Sequence, residues 1–166
     1  MGLHRYVAYN APITAGTWTS VSTGTSVKTM LQLATPSSRM LQVVSWGFSI
    51  SGAQAGTVSL CAENAGDTVT AHVASGLMPM DGNLPASLLT LGTTATGYTA
   101  SAQASPTTVR MFDSQLIAGT AGDNELNYSY QFLPDEQPVV NISSWLKIKA
   151  SFSVAVNMQC YINWAE

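Results

Sequence analysis

Nucleophilic catalysis needs a serine or cysteine with a base in reach, and the two histidines of this chain are His4 and His72. His4 lies in an opening apolar segment and His72 on the polar face of a later one. Neither sits beside a glycine-rich loop or a carboxylate at a recognisable spacing, and no Gly-x-Ser-x-Gly occurs. Both read as surface or interface residues. A zinc site would want four Cys or His ligands in paired spacing, whereas Cys61, Cys160 and the two histidines are scattered singly. Asp123, Asn124, Glu125 and Asn127 carry oxygens that suit a calcium loop, but a hydrophilic turn after Gly122 accounts for the same residues. Asp135 and Glu136, between Pro134 and Pro138, read as a solvated loop rather than an acid/base pair. Catalytic, cofactor-binding and metal-ligating residues are therefore expected to be absent. Asn127 and Asn141 open glycosylation sequons, which a chain without a secretory signal is expected to leave unmodified.

Aromatic side chains offer binding rather than reaction chemistry. Of the four tryptophans, Trp46 and Trp164 fall in apolar registers and are expected in the core. Trp18 and Trp145 remain as candidates for a sugar-stacking platform or, better, as anchors at a protein interface. Met78 and Met80, with Leu77 and Leu84, occupy a Pro-, Gly- and Asp-rich connection over residues 76–85. That is more apolar surface than a solvated loop needs, so these methionines join the interface candidates.

The elements that position these residues read as strands. No window shows a sustained helical apolar pattern with a cap, while alternation with period two recurs throughout. Strands are expected at 3–9, 27–33, 39–51, 57–63, 68–75, 87–91, 98–104, 107–117 and 125–133, with 57–63 and 68–75 forming a hairpin. In 39–51, Met40, Val44, Trp46, Phe48 and Ile50 share one face, and Gly47 marks a bulge or a close backbone approach. Residues 10–26, rich in Ser, Thr and Gly around Trp18, read as an extended arm or long loop. From Leu146 to Trp164 every even-numbered residue is apolar. One strand of that length would run roughly 60 Å, so the chain must turn near 155–157. Retained parity predicts a three-residue hairpin loop with Asn157 in the left-handed region. Cys61 falls opposite Val58, Leu60 and Ala62, and Cys160 in an apolar register, which predicts two free thiols.

Composition agrees with one all-β domain spanning residues 1–166, an antiparallel β-sandwich of jelly-roll or related Greek-key topology. The 166 residues are 46% hydrophobic but only 9% charged, and 37 are Ser or Thr, so hydroxyls replace ions as the solvating groups. With a net charge of −3 and six Lys and Arg spread singly, no nucleic-acid or anionic-membrane partner is expected. No apolar leader and no run of eighteen apolar residues occurs, so synthesis in a cytoplasm is the expectation.

Three stretches carry a resemblance: Met-Leu-Gln-Leu-Ala-Thr-Pro-Ser (Met30 to Ser37), Val-Val-Ser-Trp-Gly-Phe-Ser (Val43 to Ser49) and Leu-Gly-Thr-Thr-Ala-Thr-Gly-Tyr-Thr-Ala (Leu91 to Ala100). Across nearly its whole length the chain resembles Ser-rich β-sandwich proteins of tailed bacteriophages that decorate or cement the capsid. None of the three is a mechanistic motif, so no functional residue is carried over. The resemblance implies a non-enzymatic virion protein on the capsid surface, partnered by the major capsid protein and by copies of itself. A trimer is the expected oligomer, because capsid lattices offer threefold positions and a lone sandwich leaves sheet edges exposed. The rival expectations are a carbohydrate- or receptor-binding sandwich of a tail fibre, and a hydrolase whose site leaves no motif.

Overall fold

The computed structural model describes residues 4–10, 13–14, 17–18, 21–52, 54–71, 77–90, 97–119 and 125–166. Its strands are β1 (Arg5–Tyr9), β2 (Ile13–Thr14), β3 (Thr17–Trp18), β4 (Val21–Ser22), β5 (Lys28–Ala34), β6 (Leu41–Ser51), β7 (Gly56–Glu63) and β8 (Thr68–Ala71). The second half adds β9 (Met78–Pro79), β10 (Gly97–Ala102), β11 (Val109–Ile117), β12 (Leu126–Gln131), β13 (Val139–Val140), β14 (Trp145–Phe152) and β15 (Asn157–Ala165). A seven-stranded antiparallel sheet has the order β12-β6-β15-β1-β9, with β13 also on β6 and β4 also on β15. A four-stranded sheet, β11-β7-β14-β5, packs against it, while β10-β8 and β2-β3 form separate two-stranded sheets, with β10 lying against β5. The described chain is an all-β sandwich.

Alternation builds the shared core. Met158, Cys160, Ile162 and Trp164 of β15 face Leu146, Ile148, Ala150 and Phe152 of β14 through a layer that includes Trp46, Phe48, Val58 and Leu60, all buried. Trp164 stacks on Tyr6 with ring centroids 5.8 Å apart. Cys61 and Cys160 are free thiols, as expected, and both are buried, Cys61 in spite of its place in the polar register.

Four expectations are corrected. β14 and β15 do not form a hairpin, because they lie in opposite sheets and residues 153–156 carry the chain from one to the other. Both strands aim even-numbered residues at one core, so parity needs no odd loop, and among described non-glycine residues only Ser143 has a positive φ. The expected hairpin of 57–63 with 68–75 does not form in the described residues either: β7 lies between β11 and β14, and β8 pairs β10, while residues 72–75 lie outside the described residues. Met40 is exposed, and Leu41 and Val43 take the buried positions, because a register shift opposite Asn163 and Trp164 interrupts the alternation of β6. Of the segment at 87–91, the described residues 87–90 make a single bridge, Thr90 to Ala34, in place of a strand.

Gly47 is a close approach, not the bulge. A Cβ there would lie 2.6 Å from the Tyr128 carbonyl oxygen and 2.7 Å from Tyr161 Cε1, so the Tyr161 ring occupies the space a side chain would need.

The stretch 10–26 leaves and rejoins β15. Asn10 accepts from the Cys160 amide through Oδ1 (2.7 Å) and donates from Nδ2 to the Met158 carbonyl (3.2 Å). Val21 and Ser22 then pair with Met158 and Asn157, and Thr23 exchanges hydrogen bonds with Val156. The expected arm thus has both ends sewn to the sandwich. Residues 11–12, 15–16 and 19–20 lie outside the described residues.

Candidate functional site

β11 forms one edge of the four-stranded sheet, and a bulge decides what it shows. Val109 and Met111 sit opposite Glu63 and Cys61 on the outer face. Past the irregularity between Met111 and Asp113, Asp113 falls opposite the buried Leu60, so its carboxylate turns inward while Leu116, opposite Thr57, returns outward. Met111 and Leu116 differ by an odd number of positions and would otherwise point to opposite faces. The result is an exposed apolar row in which Val109 is 51%, Met111 56% and Leu116 86% exposed.

The inward carboxylate locks the two sheets together. Asp113 Oδ2 accepts from Tyr128 Oη at 2.6 Å and from Trp46 Nε1 at 3.1 Å, and Oδ1 accepts from Gln115 at 2.8 Å. Burial and the adjacent Asp113 push the Tyr128 phenol pKa up, so the hydroxyl remains a donor. Asp113→Ala strands both ring donors, and a loss of about 1–3 kcal/mol is expected in urea melts. An unchanged midpoint would show the latch to be idle.

A second polar cluster lies on the outer face of the same sheet. Lys147 Nζ is 2.7 Å from Glu63 Oε2 and 2.9 Å from Asp67 Oδ2, and all three side chains are almost fully buried. Lys149 also pairs with Glu63. Asp67 further accepts from the Thr29 hydroxyl (2.5 Å) and the Ala104 amide (2.7 Å), and its backbone is bridged by the Gln32 amide. Burial raises the Asp67 carboxyl, but the Ala104, Thr29 and Lys147 donors outweigh it and hold the pKa below its ordinary value. Two carboxylates and two ammonium groups balance in charge.

Buried Lys, Asp and Glu side chains at these distances invite a reading as catalytic machinery. An attacking amine has to shed its proton, whereas Lys147 donates to Glu63 and pairs with an Asp67 held ionised. The cluster is an ion-pair network. Cys61 beside it is inert, its thiol pushed up to about 12 by burial and by Glu63.

The residues singled out in the sequence scatter. Trp145 is half-buried, its indole packed so closely on Gly66 that a Cβ there would lie 2.4 Å from Cζ2, and it helps roof the ion-pair cluster. Met78 is half-buried in β9 against β1, while Met80 is 59% exposed. The backbone of Trp18 pairs with Ile13, and its side chain lies outside the described residues. His72, Asp123 and Asn124 also lie outside them. His4 is half-buried, with its amide and carbonyl bonded to Glu166, while Asp135 and Glu136 are exposed around a turn. Among the described residues no three His, Cys, Asp or Glu side chains converge as metal ligands.

One feature was missed at the sequence level. On the outer face of the large sheet, Tyr9, Tyr161, Gly47 and Ser129 lie side by side across β1, β15, β6 and β12, and Gln159, Ser49 and Asn127 form the next row. These rows line a groove of about 470 Å³. The signal was Tyr161, an aromatic in the polar register of the best-patterned strand. No family model, curated protein or solved structure matches the chain.

Proposed function

We propose that this chain is a structural, non-enzymatic virion protein that decorates a tailed-phage capsid and stabilises it by bridging capsid subunits. The supporting observation is the exposed row Val109, Met111 and Leu116 along β11. From Val109 to Leu116 the row runs roughly 23 Å along the edge strand, with Ser114 between Met111 and Leu116, and Leu116 is the most exposed of the large apolar side chains among the described residues. Its partners in this reading are the major capsid protein and further copies of the chain, most simply as a trimer. A sheet edge of this kind joins a neighbour by strand pairing and apolar burial, and repetition over a lattice multiplies modest contacts into a stable shell.

Quantitative densitometry of purified virions is the test. Hundreds of copies per particle are expected, and about a dozen or fewer would place the chain at a tail or vertex and overturn the reading. Leu116→Lys alters only an exposed side chain, so the isolated protein is expected to melt as before, within about 0.5 kcal/mol. Its binding to shells stripped of the protein is expected to weaken at least tenfold, about 1.4 kcal/mol. Unchanged binding would move the interface off β11.

A further inference from the structure

The groove on the opposite face, over β6 and β15, has a different chemistry. No charged side chain lines it; its walls are Tyr9, Tyr161, Ser49, Asn127, Ser129 and Gln159. The two tyrosine rings stand 5.8 Å apart at 42°, and the Tyr161 ring is seated over Gly47, which fixes it against the sheet before anything binds. Burial and the neighbouring Tyr9 push the Tyr161 phenol pKa up, keeping its hydroxyl a donor. A second cavity of about 300 Å³ shares Ser49, Asn127 and Gln159 and extends the groove past Ser51 and Asn157 to Glu125.

We propose that this groove binds a neutral oligosaccharide, with one sugar ring against Tyr161 and the next among Asn127, Gln159 and Ser49. A pyranose presents an apolar C–H face and a rim of hydroxyls that both donate and accept. Aromatic rings match the face, and amide and hydroxyl side chains match the rim because they too do both. The volume falls in the range of about 300–1,000 Å³ usual for small-ligand sites. The length, along two successive cross-strand rows, fits a linear chain better than a single compact molecule. The neutral lining offers nothing to an anionic ligand, and Glu125 at the far end repels one.

The experiment is a titration of the isotope-labelled full chain with cellotetraose, maltotetraose, mannotriose and tri-N-acetylchitotriose, and with sialyllactose as the acidic probe. At least one neutral probe is expected to shift the amide resonances of Ser49, Asn127 and Gln159 saturably at millimolar concentration. Asn127 is exposed, so Asn127→Ala keeps the fold and is expected to weaken that binding about tenfold. Tyr161→Ala should weaken it further, and if that variant unfolds, Asn127→Ala still decides. The proposal is overturned if no neutral probe shifts these residues, if shifts map elsewhere, or if sialyllactose binds more tightly. It is equally overturned if concentrating the protein alone produces the same shifts, since a second copy would then occupy the groove. The copy number on virions is independent of all these outcomes.

Discussion

Lys147→Ala is expected to lower stability by about 3–5 kcal/mol, because it leaves Glu63 and Asp67 buried without their shared cation. Urea melts of the two proteins at pH 7 measure it directly. Lys149→Ala should cost clearly less, since its side chain is 16% exposed and Glu63 would keep Lys147. The comparison separates a buried network from a surface pair, and equal effects would contradict the burial. Removing the three fully buried charges together, in Lys147→Met with Glu63→Gln and Asp67→Asn, should cost less than Lys147→Ala alone, because the one ion left, Lys149, reaches solvent. The pH dependence follows from Asp67, whose folded pKa is depressed. Its contribution is fully present above the ordinary carboxyl value of about 3.9 and is lost as pH falls through the lower folded value. Asp67→Asn should flatten the acid limb of a stability profile between about pH 5 and pH 2. An unaltered limb would assign acid unfolding to other carboxylates.

That cluster also shows where reading the sequence stops. Glu63, Lys147 and Lys149 all occupy the register opposite the core, so alternation marks them as solvent-facing, and their outward direction is correct. What alternation cannot show is a roof. The loop after β7 folds over the sheet, with Asn64 bonded to Thr107 and Asp67 to Ala104, and Trp145 closes on Gly66. The same loop was expected to be a hairpin turn, the shortest connection between two neighbouring strands; the buried bonds of Asp67 to Thr29, Gln32 and Lys147 support its other course. The β11 row was illegible for a related reason. An unbroken alternation separates Met111 from Leu116, and only the bulge reunites them. In the groove, Tyr161 was legible as an aromatic out of register, but Tyr9 and Asn127 join it through pairings of β1 and β12 that sequence separation hides.

Phe152→Ala is expected to cost about 3–5 kcal/mol, a large share of the roughly 5–15 kcal/mol that holds a domain folded, while Ser153→Ala stays within about 0.5 kcal/mol. The adjacent pair tests whether the even-numbered register survives to the last residue before the chain changes sheets. Phe152 is 2% exposed and its ring lies against Gly56, where a Cβ would come within 2.4 Å of Cδ1. Truncating it removes a filled contact that β7 has no side chain at Gly56 to replace. Ser153 is exposed, and what it contributes is its amide, which donates to the Ala55 carbonyl at 2.8 Å and is retained in alanine. Urea melts giving equal losses would mean that the crossing begins before Phe152 and that the ring is not part of the core. Gly56→Ala sharpens the test: in the native background its methyl meets both the Phe152 ring and the Ser151 carbonyl oxygen, at 2.5 Å. With Phe152 truncated only the carbonyl contact remains, so the double variant should lose less than the sum of the single losses, and strict additivity would argue that ring and glycine do not touch.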